Sequence, residues 1–211
     1  MRLEGRLKAS GVTVIERGMS HYPRQLADVD GPRFLFVKGD FNILSYPLAA
    51  VVGTRSVRPD GIRLTHQVAA WCVGRGWTVV SGGAIGVDSA AHLESLRQHK
   101  PTVVVLPAGL EHLVPRGHLK LFAQVIEKGG CLVSEYLPWT RPFRGGFLKR
   151  NRIISGISEC VVVVRAPLYS GALSTASAAA ASELWPPPEV PLTQSQTFMS
   201  GVVPRKPAFT S

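Results

Sequence analysis

The chain has 211 residues, of which 45% are hydrophobic, and it carries a formal net charge of +10 with a pI near 10.1. This length and composition are enough to bury the core of one α/β domain with short appendages. We expect neither a secretory leader nor a membrane anchor, because no sustained apolar run follows the charged first residues and none is long enough to cross a bilayer. The positive charge favours an anionic partner, for which nucleic acid is the commonest explanation.

The cysteines Cys72, Cys131 and Cys160 lie far apart, and the last two fall in apolar runs typical of strands. Thiols in such positions behave as small hydrophobic groups, so we expect a reducing compartment and a cytoplasmic location. The histidines have none of the paired spacings that a zinc site needs. We therefore expect no structural metal and no cofactor.

The first part of the chain is predicted to flank the main sheet. Residues 12–15 and 34–37 have the composition of short strands, with a turn and residues 21–26 between them. We expect residues 1–45 to form an N-terminal extension that contains these strands and packs on the main domain.

Strand and helix patterns alternate from residue 46 onward. Residues 48–52 are apolar on both faces, which favours a central parallel strand. Helical spacing follows at residues 60–74 and closes on glycines. Further strands are predicted at residues 77–80, 102–106, 131–135 and 160–164, and each is followed by a loop and a helix. The first of these helices is expected to end at residue 99, the second to span about residues 117–128, the third to end at residue 157 and the fourth at residue 182. Five such alternations predict an α/β fold with a doubly wound, mostly parallel sheet over residues 46–183.

The pattern stops after Glu183. Trp185 is followed by Pro186, Pro187 and Pro188, which cannot continue a helix. We expect residues 184–211 to form an irregular or extended Pro-rich tail.

Residues 147–156 are the strongest local signal for a ligand. A basic run stands directly before the apolar pair Ile153-Ile154, and it consists of Lys149, Arg150, Asn151 and Arg152. A solvated helix start would explain any single cation. A cluster that runs into a buried helix favours phosphate binding.

In a doubly wound sheet, ligands bind outside the carboxyl ends of the strands, where loops and helix N-termini converge. Every loop predicted there carries glycine, a hydroxyl or a cation: residues 53–55, 81–83, 109, 134–135, 149–152 and 170–171. Glycines that let a strand turn into a helix would explain any one of these loops. Six together predict one common binding rim.

The loops, taken in order, resemble a known family. The matching segments are Tyr22-Pro23-Arg24-Gln25-Leu26, Val52-Gly53-Thr54-Arg55, the run from Ser81 to His92, Ser134-Glu135, Arg150-Asn151-Arg152 with the residues to Gly156, and the run from Ser170 to Ala176. They resemble the DNA-processing protein A family (DprA, also called Smf), and the resemblance covers about residues 11–180. The chain departs from that family at Phe147-Leu148-Lys149, at Val114-Pro115 and from Leu184 onward.

The resemblance implies a Rossmann-like domain that is not an enzyme. It implies a protein of natural transformation that binds and protects incoming single-stranded DNA, forms a homodimer and helps to load the RecA recombinase. On this basis we expect the cations to meet phosphates, the glycines to offer backbone amides, and Phe147 to stack on a base or anchor the core. The expected DNA-binding residues are Gly53, Thr54, Arg55, Ser81, Gly82, Gly83, Phe147, Lys149, Arg150, Asn151, Arg152, Ser170 and Gly171.

Two enzyme alternatives remain. The related lysine-decarboxylase-like (LOG) nucleotide phosphoribohydrolases share the fold, but their Pro-Gly-Gly-x-Gly-Thr-x-x-Glu motif is missing, and Glu135 is the only acid in a comparable place. A dinucleotide-dependent dehydrogenase needs a Gly-x-Gly-x-x-Gly turn, which Gly53-Thr54-Arg55 does not provide. Asp88 and His92 have the spacing of a metal or base pair, although we expect Asp88 to serve the helix N-terminus and His92 to pack.

Overall fold

The computed structural model describes residues 3–27, 31–164 and 201–204. Its strands are β1 (Thr13–Glu16), β2 (Phe34–Gly39), β3 (Leu48–Gly53), β4 (Thr78–Ser81), β5 (Thr102–Val105), β6 (Cys131–Ser134), β7 (Cys160–Val164) and β8 (Gly201–Pro204). Its α-helices are α1 (Leu3–Ala9), α2 (Arg24–Ala27), α3 (Pro59–Gly74), α4 (Val87–Arg97), α5 (Leu119–Glu127) and α6 (Gly146–Ile157). Short 3-10 helices occupy Phe41–Ser45 and Arg116–His118. Within these ranges, no helix combines the length and the apolarity needed to span a membrane.

The strands form one eight-stranded sheet in the order β1-β2-β6-β5-β4-β3-β7-β8. The five strands from β6 to β7 in this order run parallel, and β2 and β8 flank them in antiparallel orientation. The predicted α/β fold with a mostly parallel sheet is confirmed. The predicted central position of β3 is also confirmed, because this strand pairs with β4 on one side and β7 on the other.

The core lies on both faces of the sheet. Alternate residues of β3 point to opposite faces, so Ala50 packs in a cluster with Ile153 and Ile154 of α6, whereas Val51 packs with Ala69 of α3. Farther along the sheet, α5 closes the second face with Phe122, which is fully buried. Strands covered on both faces must be apolar throughout, and this explains the continuous runs in the sequence.

The N-terminal strands extend the main sheet itself. β2 pairs with β6 in a register that places Val37 opposite Val133, and β1 pairs with β2 at the outer edge. Leu35 and Val37 are fully buried in the same cluster as α6. The division at residue 45 stays a prediction, but the core is continuous across it.

The other edge is formed by β8, whose residues 201–204 pair with β7. This strand lies inside the segment for which we expect an irregular or extended tail, and a run of four residues between glycine and proline has too short a pattern to predict. The helix predicted to end at residue 182 lies outside the described residues.

Candidate functional site

The predicted rim contains a cavity at the carboxyl ends of the parallel strands. Its volume is about 400 Å³, and it is lined by Arg55, Ser56, Gly82, Ala84, Ile85, Val114, Pro115 and Phe147. The loops after β3, β4 and β5 and the first turn of α6 each contribute to this wall. The loop after β3 is tied to the start of α4, because the Val87 amide donates to the Thr54 carbonyl at 3.3 Å.

Arg55 and Phe147 form the most distinctive contact at the cavity. The Arg55 guanidinium carbon lies 4.9 Å from the centre of the Phe147 ring, within the range of a cation–π interaction. Arg55 is exposed and Phe147 is half-buried. One side chain therefore holds a positive charge in solvent while the other offers an aromatic surface beside it.

The glycines of the rim serve close packing between loops. A Cβ atom on Gly53 would lie 2.0 Å from the Val164 carbonyl oxygen, and one on Gly83 would lie 2.8 Å from the Phe122 ring. Gly83 also has a φ of +67°, which side chains rarely adopt. On Gly82, a Cβ would lie 1.7 Å from Nη1 of Arg150. Gly53 and Gly83 must therefore be glycine for reasons within the fold, and a side chain at Gly82 would have to displace the Arg150 guanidinium.

The hydroxyl groups of Ser81 and Thr54 already make hydrogen bonds within the protein. Ser81 is buried, and its hydroxyl donates to the Val51 carbonyl at 2.7 Å. The Thr54 hydroxyl accepts from the Ser56 amide at 3.2 Å and stabilises the turn that presents Arg55. Ser81 is therefore placed beneath the rim, whereas Thr54 shapes the rim from within.

Arg150 is the main difference between the expected and the observed site. Its side chain is buried, and Nη1 donates to the Val105 carbonyl at 2.7 Å. Its guanidinium packs beneath Gly82 and attracts the buried carboxylate of Asp88. The predicted phosphate contact stays a prediction, but in this structure Arg150 supports the loop after β4 from below.

Asp88 is buried beneath the rim, close to the guanidinium of Arg150. It stands in the first turn of α4, as expected, and its carboxylate accepts from the Ala84 amide at 3.2 Å, three residues before the helix begins. Burial raises the pKa of this carboxyl, and the nearby charge of Arg150 opposes the shift. The cation and the loop amide together explain how a carboxylate is tolerated here.

His92 packs in the core as expected. The Thr102 hydroxyl donates to the Val79 carbonyl at 2.7 Å, so it must accept from Nδ1 of His92 at 2.8 Å. Burial lowers the pKa of His92 to about 3. The ring is therefore neutral, and a role as a proton-transfer base at neutral pH is not supported.

The remaining cations of the basic run differ from one another. Lys149 is exposed on the first turn of α6, whereas Arg152 and Asn151 are half-buried. Arg152 forms an ion pair with Glu135, whose side chain is 11% exposed. The acid on which the phosphoribohydrolase alternative depends is thus engaged in a salt bridge. Ser170 and Gly171 lie outside the described residues.

Sequence reasoning missed the apolar part of the cavity wall. Ile85 is 60% exposed in the loop after β4, and Val114 and Pro115 approach it from the loop after β5. The signal for Ile85 is an exposed apolar residue inside a glycine-rich loop, where packing does not require it. Val114 and Pro115 carry no such signal, because only the fold brings them to the rim.

The sequence matches the profile of the family described as DNA recombination-mediator protein A over residues 13–196. Among curated proteins, it is 37% identical over 171 residues to "DNA processing protein DprA" of Bacillus subtilis, which covers 80% of this chain and 57% of the relative. The chain spans about half the length of the curated relatives it matches.

Two solved structures are also similar. DNA processing protein A of Streptococcus pneumoniae superposes with a TM-score of 0.74 at 31% identity, covering 82% of this chain and 62% of that one. DNA processing protein A of Helicobacter pylori superposes with a TM-score of 0.71 at 32% identity, covering 80% and 75%, and its structure addresses a single-stranded DNA binding mode. The resemblance seen in the sequence is confirmed.

Proposed function

Because the chain belongs to the DNA recombination-mediator protein A family, we propose that it binds single-stranded DNA and that the cavity at the rim receives a base. The observation that carries this proposal is the pairing of Arg55 with Phe147 at a cavity of about 400 Å³. The single-stranded DNA binding mode described for the Helicobacter pylori relative supports the choice of ligand.

The chemistry of the wall suits a nucleotide. Phe147 offers an aromatic face for stacking, and Ile85, Val114 and Pro115 supply apolar contacts for the edges and faces of a base. Arg55 supplies a positive charge for the phosphate on the adjoining backbone. The sequence-independent phosphate contact and the stacking contact are then made at one place.

A cavity of this kind favours single strands over duplexes. A base can enter it only when it is unpaired and unstacked from its neighbours, and in a duplex that costs a few kcal/mol. The described rim consists of loops and helix N-termini, and it lacks the projecting helix or ribbon with which proteins read a major groove. The protein should therefore bind single strands more tightly than duplexes, and its affinity should depend only weakly on the base sequence.

The test uses fluorescence anisotropy with a labelled oligonucleotide, single-stranded and as a blunt duplex. Arg55→Glu and Lys149→Glu should each weaken single-strand binding by about tenfold or more. Each lost phosphate contact should reduce the slope of log affinity against log salt by about 0.7. Lys100→Glu is the matched control, since Lys100 is exposed between α4 and β5 at the opposite end of the sheet.

Equal affinity for the duplex would contradict the proposal. So would equal losses in Arg55→Glu and Lys100→Glu, because a nonspecific basic surface would then account for binding. Arg152→Glu is unsuitable for this test, since it would place two acids together where Arg152 now meets Glu135.

We extend the proposal to the wider activities that the family resemblance implies. The protein protects incoming single-stranded DNA during natural transformation, has no catalytic activity, works in the cytoplasm as a homodimer and helps to load the RecA recombinase.

Static light scattering tests the dimer, and a monomer at micromolar concentration would contradict it. Release of free base from nucleoside monophosphates would contradict the absence of catalysis, and unchanged RecA filament growth on covered single strands would contradict the loading role.

A further inference from the structure

His118 connects the two walls of the cavity. It is the last residue of the 3-10 helix Arg116–His118, and its amide donates to the Pro115 carbonyl at 3.0 Å. Its side-chain Nδ1 lies 2.9 Å from the carbonyl oxygen of Gly83. Pro115 lines one side of the cavity, and Gly83 stands between Gly82 and Ala84, which line the other. One residue thus bonds to both loops.

The chemistry of this bridge is determined by its acceptor. A backbone carbonyl oxygen can only accept, so Nδ1 of His118 must carry the proton and donate it. The hydrogen bond forms in the neutral Nδ1–H tautomer as well as in the charged ring.

The position of the His118 ring is itself supported. The ring packs edge-on against Phe122, with their centroids 6.2 Å apart and an interplanar angle of 85°. The Phe122 side chain is fully buried and also lies directly beneath Gly83. Phe122 thus supports both partners of the hydrogen bond, and the loop after β4 cannot shift inward without displacing it.

We propose that His118 is a positioning residue for single-strand binding, which holds the loop after β5 against the loop after β4 so that the cavity stays open for a base. This proposal rests on the proposed function and adds a residue that touches no DNA. Without the side-chain hydrogen bond, the two loops separate or collapse more often, and the fraction of molecules that can bind falls.

Two variants of His118 separate the hydrogen bond from the ring. His118→Phe keeps an aromatic ring against Phe122 but has no donor, whereas His118→Asn keeps an N–H donor near the position of Nδ1. His118→Phe should weaken single-strand affinity by about fivefold, which corresponds to one net hydrogen bond. The slope of affinity against salt should stay unchanged, because no phosphate contact is lost. His118→Asn should restore most of the affinity.

A base analogue reports on the cavity directly. An oligonucleotide that contains 2-aminopurine should show the fluorescence change of stacking with the wild type and with His118→Asn, and a smaller change with His118→Phe. Wild-type affinity in His118→Phe would overturn the proposal. A reduced salt slope without rescue by His118→Asn would also overturn it, because His118 would then be a phosphate contact.

Hydrogen exchange without DNA tests the bridge independently of the proposed function. Amides of residues 82–86 should exchange faster in His118→Phe than in the wild type or in His118→Asn, and equal rates in all three would overturn the positioning role. If the wild type failed to bind single strands while these rates differed, the proposed function would be wrong and the bridge would still stand. If the wild type bound and the rates were equal, only the positioning role would be wrong.

Discussion

The rim and the buried polar layer directly beneath it, which contains Arg150, Asp88 and His92, hold their cations in opposite ways. Arg55 and Lys149 are exposed at the rim, whereas Arg150 is buried below Gly82 and bonds to the Val105 carbonyl. Lys149 and Arg150 are neighbours in sequence, and the turn of α6 directs them to different environments. A basic motif can therefore contain both a charge that is exposed to solvent and a charge that the fold uses for itself.

This difference separates two kinds of consequence. A cation in solvent contributes little to the free energy of unfolding and acts mainly on an anionic partner. A buried cation that is hydrogen-bonded and close to a buried carboxylate contributes to stability, because its loss leaves the other groups uncompensated. Stability and DNA affinity should respond to different members of the run.

The largest effect is expected from Arg150→Met compared with Lys149→Met. Removal of the guanidinium leaves Asp88 buried without its neighbouring cation and the Val105 carbonyl without its donor, which should lower the free energy of unfolding by about 3–5 kcal/mol. Lys149→Met should change it by about 0.5 kcal/mol or less. Urea denaturation of both variants measures the contrast. A stable Arg150→Met that has lost DNA affinity would show that Arg150 reaches the ligand after all.

Gly82→Ala should give the next largest effect. The new Cβ would lie 1.7 Å from Nη1 of Arg150, so the guanidinium or the loop must move, and overpacking of this kind costs about 1–3 kcal/mol. Gly74→Ala is the control, because its Cβ would meet no atom within 4 Å at the end of α3. That substitution should be neutral or slightly stabilising.

A double-mutant cycle sharpens the Gly82 result. In the Arg150→Met background, Gly82→Ala should cost less than it does alone, because the group that it displaces has been removed. Additive effects would show that Gly82 is required for the backbone of the loop and not for the packing of Arg150.

His92 provides a pH-dependent probe of the buried layer. Its pKa is lowered to about 3 by burial, whereas an unfolded histidine titrates near 6.5. Between these pKa values the unfolded chain binds a proton that the folded chain does not. The contribution of His92 to the free energy of unfolding is therefore complete above about pH 6.5 and is lost as the pH falls below it. His92 should contribute a loss of about 2 kcal/mol between pH 7 and pH 5.

His92→Phe should remove this contribution, because the ring is kept and the titrating group is not. Urea denaturation at pH 7 and pH 5 should give a smaller difference for the variant than for the wild type. Asp88 has its pKa raised by burial and acts in the opposite direction, but it is present in both proteins. Identical pH dependence of the two proteins would contradict the lowered pKa, because His92 would then bind protons equally in the folded and unfolded chains.

The smallest effect on stability is expected at the rim itself. Arg55→Ala removes an exposed cation and its contact with Phe147, which should change the free energy of unfolding by at most about 0.5–1 kcal/mol. Single-strand affinity should fall in the same variant, and thermal denaturation beside anisotropy measures the two quantities. A loss of stability comparable to that of Arg150→Met would erase the distinction between the rim and the layer beneath.

Some of this arrangement is determined by the sequence alone. Valine-rich runs that are apolar on both faces, each followed by helical spacing, require covered parallel strands, and parallel strands bring their following loops to one edge. The location of the rim follows from this local periodicity, and so does the position of the basic run at the start of a helix. Phe147 and Arg55 were therefore within reach of prediction, although their contact was not.

Only the tertiary structure decides what each loop residue faces. Gly82 packs against Arg150, which lies 68 positions later in the numbering, and the cavity wall combines Ile85 with Val114 and Pro115 from another loop. The flanking strands β1, β2 and β8 join the sheet through pairings that their short patterns do not specify. The hydrophobic periodicity of a segment predicts which of its side chains face the core. The residues that they contact there depend on how segments distant in sequence pack together.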